Sequence, residues 1–176
     1  TLLQYTQLTT EFGSKLKFHD TDASAATDYK YYISDSVDNL LNGSATVVNG
    51  AGGRLGITDS YANLVTNSGI DNIRLAYSGN TNLDITVTGT ITDAQFDIVT
   101  AKKGSSGTIK YNLGDVKAKI FDSAGAGTGF AASAVVTGAS AVTITDAITQ
   151  DQAAAVYTLR SDSLSDVTFS LSDTSA

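Results

Sequence analysis

The chain repeats itself, and that repetition restricts its fold more than any other property of the sequence. Ile33-Ser34-Asp35-Ser36-Val37-Asp38-Asn39-Leu40 returns 24 positions later as Ile57-Thr58-Asp59-Ser60-Tyr61-Ala62-Asn63-Leu64. Related pieces stand at Ile91-Thr92-Asp93-Ala94, Leu113-Gly114-Asp115, Ile144-Thr145-Asp146-Ala147 and Leu171-Ser172-Asp173-Thr174. A longer period lies above the short one. Thr86-Val87-Thr88 returns as Thr143-Ile144-Thr145, and Ile91, Thr92, Gln95 and Val99 return as Ile148, Thr149, Gln152 and Val156, in each case 57 positions on. Tyr111-Asn112-Leu113-Gly114-Asp115 returns as Phe169-Ser170-Leu171-Ser172-Asp173 after 58.

Each unit reads the same way. Short alternating stretches such as Tyr31-Tyr32-Ile33 and Thr108-Ile109-Lys110-Tyr111 have strand character. An Asp follows, placed to cap a short helix over Val37–Leu41 or Tyr61–Val65. Apolar residues at intervals of three and four predict longer helices over Ala94–Lys102 and Gln150–Leu159. Glycine clusters at 50–53, 104–107 and 125–129 mark the returns. A strand–helix unit of this size buries little by itself and gains a core by stacking on its neighbours. The expected fold is therefore α/β, a solenoid-like stack of short parallel strands and short helices, with an all-β solenoid or sandwich as the alternative. Residues 1–30 fit the repeat least and form an atypical N-terminal segment. Residues 31–176 form the repeat region, in approximate units 31–82, 83–139 and a truncated 140–176.

Composition narrows the function classes. Hydrophobic residues make up 41% and charged residues 16%, which is too apolar for a disordered chain and too polar for a membrane one. No apolar run reaches the ~18–20 residues that span a bilayer, so membrane insertion is not expected. A net charge of −7 argues against nucleic acid as partner. Cys, Pro, Met and Trp are absent, which removes disulfides, thiolate metal sites and thiol nucleophiles, and suits a location outside the cell. The chain starts at Thr1 and stops at Ala176 within a repeat, as expected of a segment cut from a longer protein.

The acidic residues are one-sided: 17 Asp and the single Glu11. Asp favours caps and turns because its short side chain reaches nearby backbone N–H groups. It is also a common calcium ligand, and calcium is the cofactor considered. The candidates are the cluster Asp20, Asp22 and Asp28, together with Asp35 and Asp59. Asp93, Asp115, Asp146 and Asp173 are expected at similar edges of successive coils. Helix capping accounts for the same residues with no metal. His19, beside Asp20, is the one histidine, and adjacency in sequence supplies no triad geometry. No catalytic residue is assigned. Thr86, Thr88, Thr90 and Thr92 form an every-other-residue ladder that strand propensity explains. Asn42-Gly43-Ser44 is a glycosylation sequon.

The motif Ile-Ser/Thr-Asp-Ser-x-x-Asn-Leu, alternating with Val-Thr-Gly-Thr-Ile-Thr-x-x-Gln, resembles repeats of very large secreted bacterial surface proteins. These are adhesin-like and S-layer-like proteins, often exported by type I systems, and the resemblance covers roughly residues 30–176. It implies a secreted or cell-surface location, a structural or adhesive role without enzymatic activity, and filament or lattice partners that are identical copies or further repeats of one parent. A β-solenoid enzyme acting on polysaccharide, or a tailspike-like fibre, is the alternative.

Overall fold

The structure is a computed structural model that describes residues 33–43, 54–77, 82–103, 107–161 and 166–172. Strand and helix alternate along them. β1 (Ile33–Asp35) leads to α1 (Val37–Leu41), and β2 (Arg54–Ser60) to a π-helical segment (Ala62–Thr66) and α2 (Gly69–Ala76). β3 (Asn82–Ile91) precedes α3 (Asp93–Lys103), and β4 (Ile109–Asp115) precedes the short helices α4 (Lys117–Ile120) and α5 (Ser133–Gly138). β5 (Ala141–Ile148), α6 (Gln150–Leu159) and β6 (Val167–Leu171) complete the order. The six strands form one parallel sheet, β1-β2-β3-β4-β5-β6, which is not a closed barrel. Order along the sheet equals order along the chain, so each crossover steps the same way. This is the solenoid-like α/β arrangement that the repeats predict. The all-β alternative fails because the stretches after β3 and β5 are helices, each opened by reciprocal Thr–Gln hydrogen bonds.

Residues group into two compact units, Thr1–Thr86 with Val99–Ile109, and Val87–Ile98 with Lys110–Ala176. In the first, Ile33 pairs with Leu55 and Asp35 with Ile57. Leu40, Leu55, Ile57, Leu64, Ile70, Ile73, Leu83 and Ile85 are buried. Tyr77 reaches into this core and donates its hydroxyl to the carbonyl of Leu40 at 2.7 Å. Gly69 stands where any Cβ would lie 2.2 Å from the carbonyl oxygen of Asn63, so α2 approaches the preceding turn only with glycine there. The expected helix over Tyr61–Val65 is wider than α-helical: Asn67 N–H bonds the carbonyl of Ala62, five residues back.

In the second unit, Leu113 pairs with Val142 and Asp115 with Ile144. Tyr111, Leu113, Val142 and Ile144 are buried, while their neighbours in sequence are partly exposed. Parallel sheets covered on both faces read as continuous apolar runs. Alternation with period two means that one face alone carries this core. The other face holds small polar residues such as Asn112, Gly114 and Thr143, all half-buried. The threonine ladder does not persist through β3. Thr88, Gly89 and Thr90 are exposed in succession, and Gly89 has φ +81°, which breaks the alternation; Thr92 then leaves the strand altogether to cap α3.

Candidate functional site

The parallel topology places the repeated carboxylates at the C-terminal ends of the strands, next to the N-termini of the helices. Open α/β sheets bind ligands at such edges, so this row is where a site would be sought. In the copies at Asp35 and Asp59 the Asp, Ser and Asn of the motif each have a partner. In the first copy, Ser36 is the N-cap of α1 and accepts from Asn39 N–H at 3.3 Å. Asp35 Oδ1 accepts from Ser36 N–H at 2.9 Å and from Asn39 Nδ2 at 2.7 Å. In the second copy, Ser60 Oγ accepts from Asn63 N–H at 3.3 Å, and Asp59 Oδ1 from Ser60 N–H and Asn63 Nδ2, both at 2.8 Å. The Leu that closes each motif, Leu40 or Leu64, is fully buried.

The second carboxylate oxygen reaches across to the neighbouring coil. Asp59 Oδ2 accepts from Val37 N–H, the first residue of α1, at 3.1 Å. Asp115 Oδ2 accepts from Asp93 N–H, the first residue of α3, at 3.0 Å. Asp146 Oδ2 does the same for Lys117 N–H at the start of α4, at 3.0 Å. The first N–H groups of a helix have no intrahelical acceptor and need one from outside. Here the following strand supplies it. The Asp residues thus act at helix N-termini, as the composition predicts, but on the helix of the preceding coil. The side-chain caps of the other helices are Ser36, Ser60, Thr92 and Thr149, whereas Val116, ahead of α4, makes no side-chain cap bond. Asp93 in particular is not a cap: Thr92 fills that position, and Asp93 is the first helical residue.

The longer period is equally concrete. Thr92 Oγ1 accepts from Gln95 N–H at 3.3 Å while Gln95 Oε1 accepts from Thr92 N–H at 3.0 Å. Thr149 and Gln152 repeat this capping box 57 residues later, at 3.2 and 3.1 Å. Ile91 and Ile148, which end β3 and β5, are both buried, and so are Val99 and Val156 one helix face further on. Gln152 has a further task. It is buried, and its Nε2 donates to the carbonyls of Gly125 at 2.8 Å and Gly127 at 2.9 Å. Those carbonyls belong to a loop closed by the Phe121–Phe130 pair, whose ring centroids lie 5.3 Å apart. Ser123 and Ala124 in that loop hold left-handed conformations, φ 50° and 54°.

The electrostatics of the row concentrate at Asp93. Burial raises its carboxyl above the ordinary range, and the like charges of Asp97 and Asp115 add to that, against an opposing effect of Lys119. Tyr111, stacked on Phe96 at 4.5 Å, donates its hydroxyl to the Val135 carbonyl at 2.6 Å. Its phenol is pushed up to about 12, chiefly by burial and then by Asp93, with Arg160 acting in the opposite sense. Arg160 itself donates to the carbonyls of Val136 at 2.9 Å and Ala139 at 3.1 Å, where α5 ends.

Of the calcium candidates, Asp20, Asp22 and Asp28 lie outside the described residues, as do His19 and Asp173. Asp35 and Asp59 are described, and both accept from backbone N–H groups and from the side-chain amides of Asn39 and Asn63. Among the described residues no three His, Cys, Asp or Glu side chains converge as a metal site. Asn42 of the sequon is exposed just after α1. Among the described residues no helix is long and apolar enough to cross a membrane. Sequence reasoning missed Gln152 as a hub and Tyr111 as a buried donor, because nothing local in the sequence marks which polar side chain the fold will enclose. No protein-family model, no curated protein and no solved structure matches the chain.

Proposed function

We propose that the chain is a structural or adhesive repeat segment of an extracellular bacterial surface assembly, S-layer-like or fibrous, and that it is not an enzyme. One observation carries this reading. Asp59, Ser60 and Asn63 each have a role in cohesion: Asp59 binds its own turn and the helix of the preceding coil, Ser60 caps, and Asn63 donates back to Asp59. A repeated carboxylate whose oxygens already accept from backbone N–H groups serves as a joint between coils. Chemistry would require a carboxylate with an oxygen turned toward a substrate. The absence of Cys and Met accords with an oxidising exterior.

The test is made on cells that produce the protein. Antibody raised against residues 31–176 is expected to label the outside of intact cells. Labelling only after lysis would overturn the surface location. Release of reducing sugar or peptide from cell-wall or extracellular polysaccharide substrates by the purified chain would overturn the non-enzymatic reading.

A further inference from the structure

We propose that the outer edge of β6 is a strand-addition site, and that its occupant is a parallel strand from a second copy of this chain. The inference deepens the structural reading above and rests on it. The argument compares two equivalent strands in one molecule. Tyr111 and Leu113 of β4 correspond to Phe169 and Leu171 of β6 at an offset of 58. Leu113 faces Val142 of β5 across a parallel ladder and is 1% exposed. Leu171 pairs with Ile148 on one side and is 60% exposed. The same position in the repeat is thus sealed where a next strand is present and open at β6, where among the described residues none is.

The backbone shows the same asymmetry. Ser172 N–H bonds the carbonyl of Ile148, and the carbonyl of Asp166 accepts from Val142 N–H, so these residues turn toward β5. In a parallel ladder successive residues turn to opposite sides. Phe169, an odd number of residues from both, therefore presents its N–H and carbonyl to the outer edge. An edge whose backbone groups turn outward beside an exposed Leu is a template for another strand.

The molecule also shows what fits there. At β4 the covering strand runs parallel, brings Val142 and Ile144 against the core, and carries Asp146 to the first N–H of the preceding helix. The occupant of β6 should have the same chemistry, a short apolar strand that ends in Asp. β1, at the opposite end of the sheet order, is such a strand, Ile33-Ser34-Asp35. β6 of one copy against β1 of the next is a head-to-tail contact. Repeated, it continues the strand order from copy to copy.

The full 176-residue chain is examined by sedimentation velocity over a concentration series. Wild type is expected to form a concentration-dependent ladder of species. Leu171→Lys, which puts a charge on the edge, should weaken association about ten-fold or more. Ala154→Lys, on the exposed side of α6, should leave it unchanged, with circular dichroism showing that both variants fold. A strict monomer at every concentration, or equal association of Leu171→Lys and wild type, would each overturn the inference. None of these outcomes bears on surface labelling or on hydrolysis, so the structural reading would stand or fall separately.

Discussion

Asp59 bears two loads. Replacing it with Ala removes the acceptor for Ser60 N–H and Asn63 Nδ2 within its own turn, and for Val37 N–H in the neighbouring coil. Hydrogen bonds to a charged acceptor contribute roughly 1.5–3 kcal/mol where the donor is left unpaired. Asp59→Ala is expected to lower unfolding stability by about 2–3 kcal/mol, and Asp59→Asn, which keeps one carbonyl acceptor, by about half of that. Urea titration of both variants measures the difference, and equal losses would mean that only one oxygen matters. Tyr111 gives a prediction in pH. Its folded-state value, about 12, lies above the ordinary 10.0. Folding therefore favours the neutral phenol, so its contribution is complete below pH 10 and is lost as pH rises from there through about 12. Tyr111→Phe should flatten that alkaline limb of the stability curve, at a cost of roughly 1 kcal/mol near neutrality from the bond to Val135. Asp93 has the same sign, since its carboxyl is raised. Asp93→Asn should stabilise the protein at neutral pH, with the gain shrinking as pH falls through the carboxylate range.

At the scale of elements, the matched boxes Thr92/Gln95 and Thr149/Gln152 separate capping from the extra task of Gln152. Thr92→Ala and Thr149→Ala should each cost about 1 kcal/mol, as an N-cap loss does. Gln152→Ala should cost more than Gln95→Ala, because it also leaves the carbonyls of Gly125 and Gly127 without their donor. Calorimetry on the four variants gives the ordering, and equality of the two Gln variants would remove the hub role. The loop held by Gln152 carries its own strain. Left-handed backbone costs a non-glycine residue roughly 1–2 kcal/mol. Ala124, exposed and at φ 54°, has no side-chain packing to lose. Ala124→Gly should therefore raise stability by about 0.5–1 kcal/mol, less than the full strain because glycine also loosens the unfolded chain. A lower melting temperature for Ala124→Gly would mean that the turn is not strained in solution.

Over the whole molecule, the stacking of parallel strand–helix units was legible in the sequence, and for a physical reason. Short strand–helix units with parallel strands and short returns place each strand beside the next one in sequence. The helices at 93–103 and 150–159 were legible too, within a residue or two, because their period and their Thr–Gln boxes are local signals. The short helices at 117–120 and 133–138 were not. They hold too few residues to show a period, and they form because Ile120, Val135 and Val136 find the core.

What the sequence determined by itself is whatever depends on residues near one another along the chain: the period, the caps, the strand alternation and the positions of the turns. The tertiary structure decided where those local pieces send their remaining valences. Asp59, Asp115 and Asp146 could be read as helix-capping residues, yet the helix that receives each second oxygen lies 22 to 29 residues earlier, and only the parallel register brings it within 3.1 Å. Likewise Tyr111 and Gln152 carry polar groups that any surface could satisfy with water. The fold enclosed them, and enclosure required a carbonyl partner for each, because a buried donor left unpaired costs far more than an exposed one.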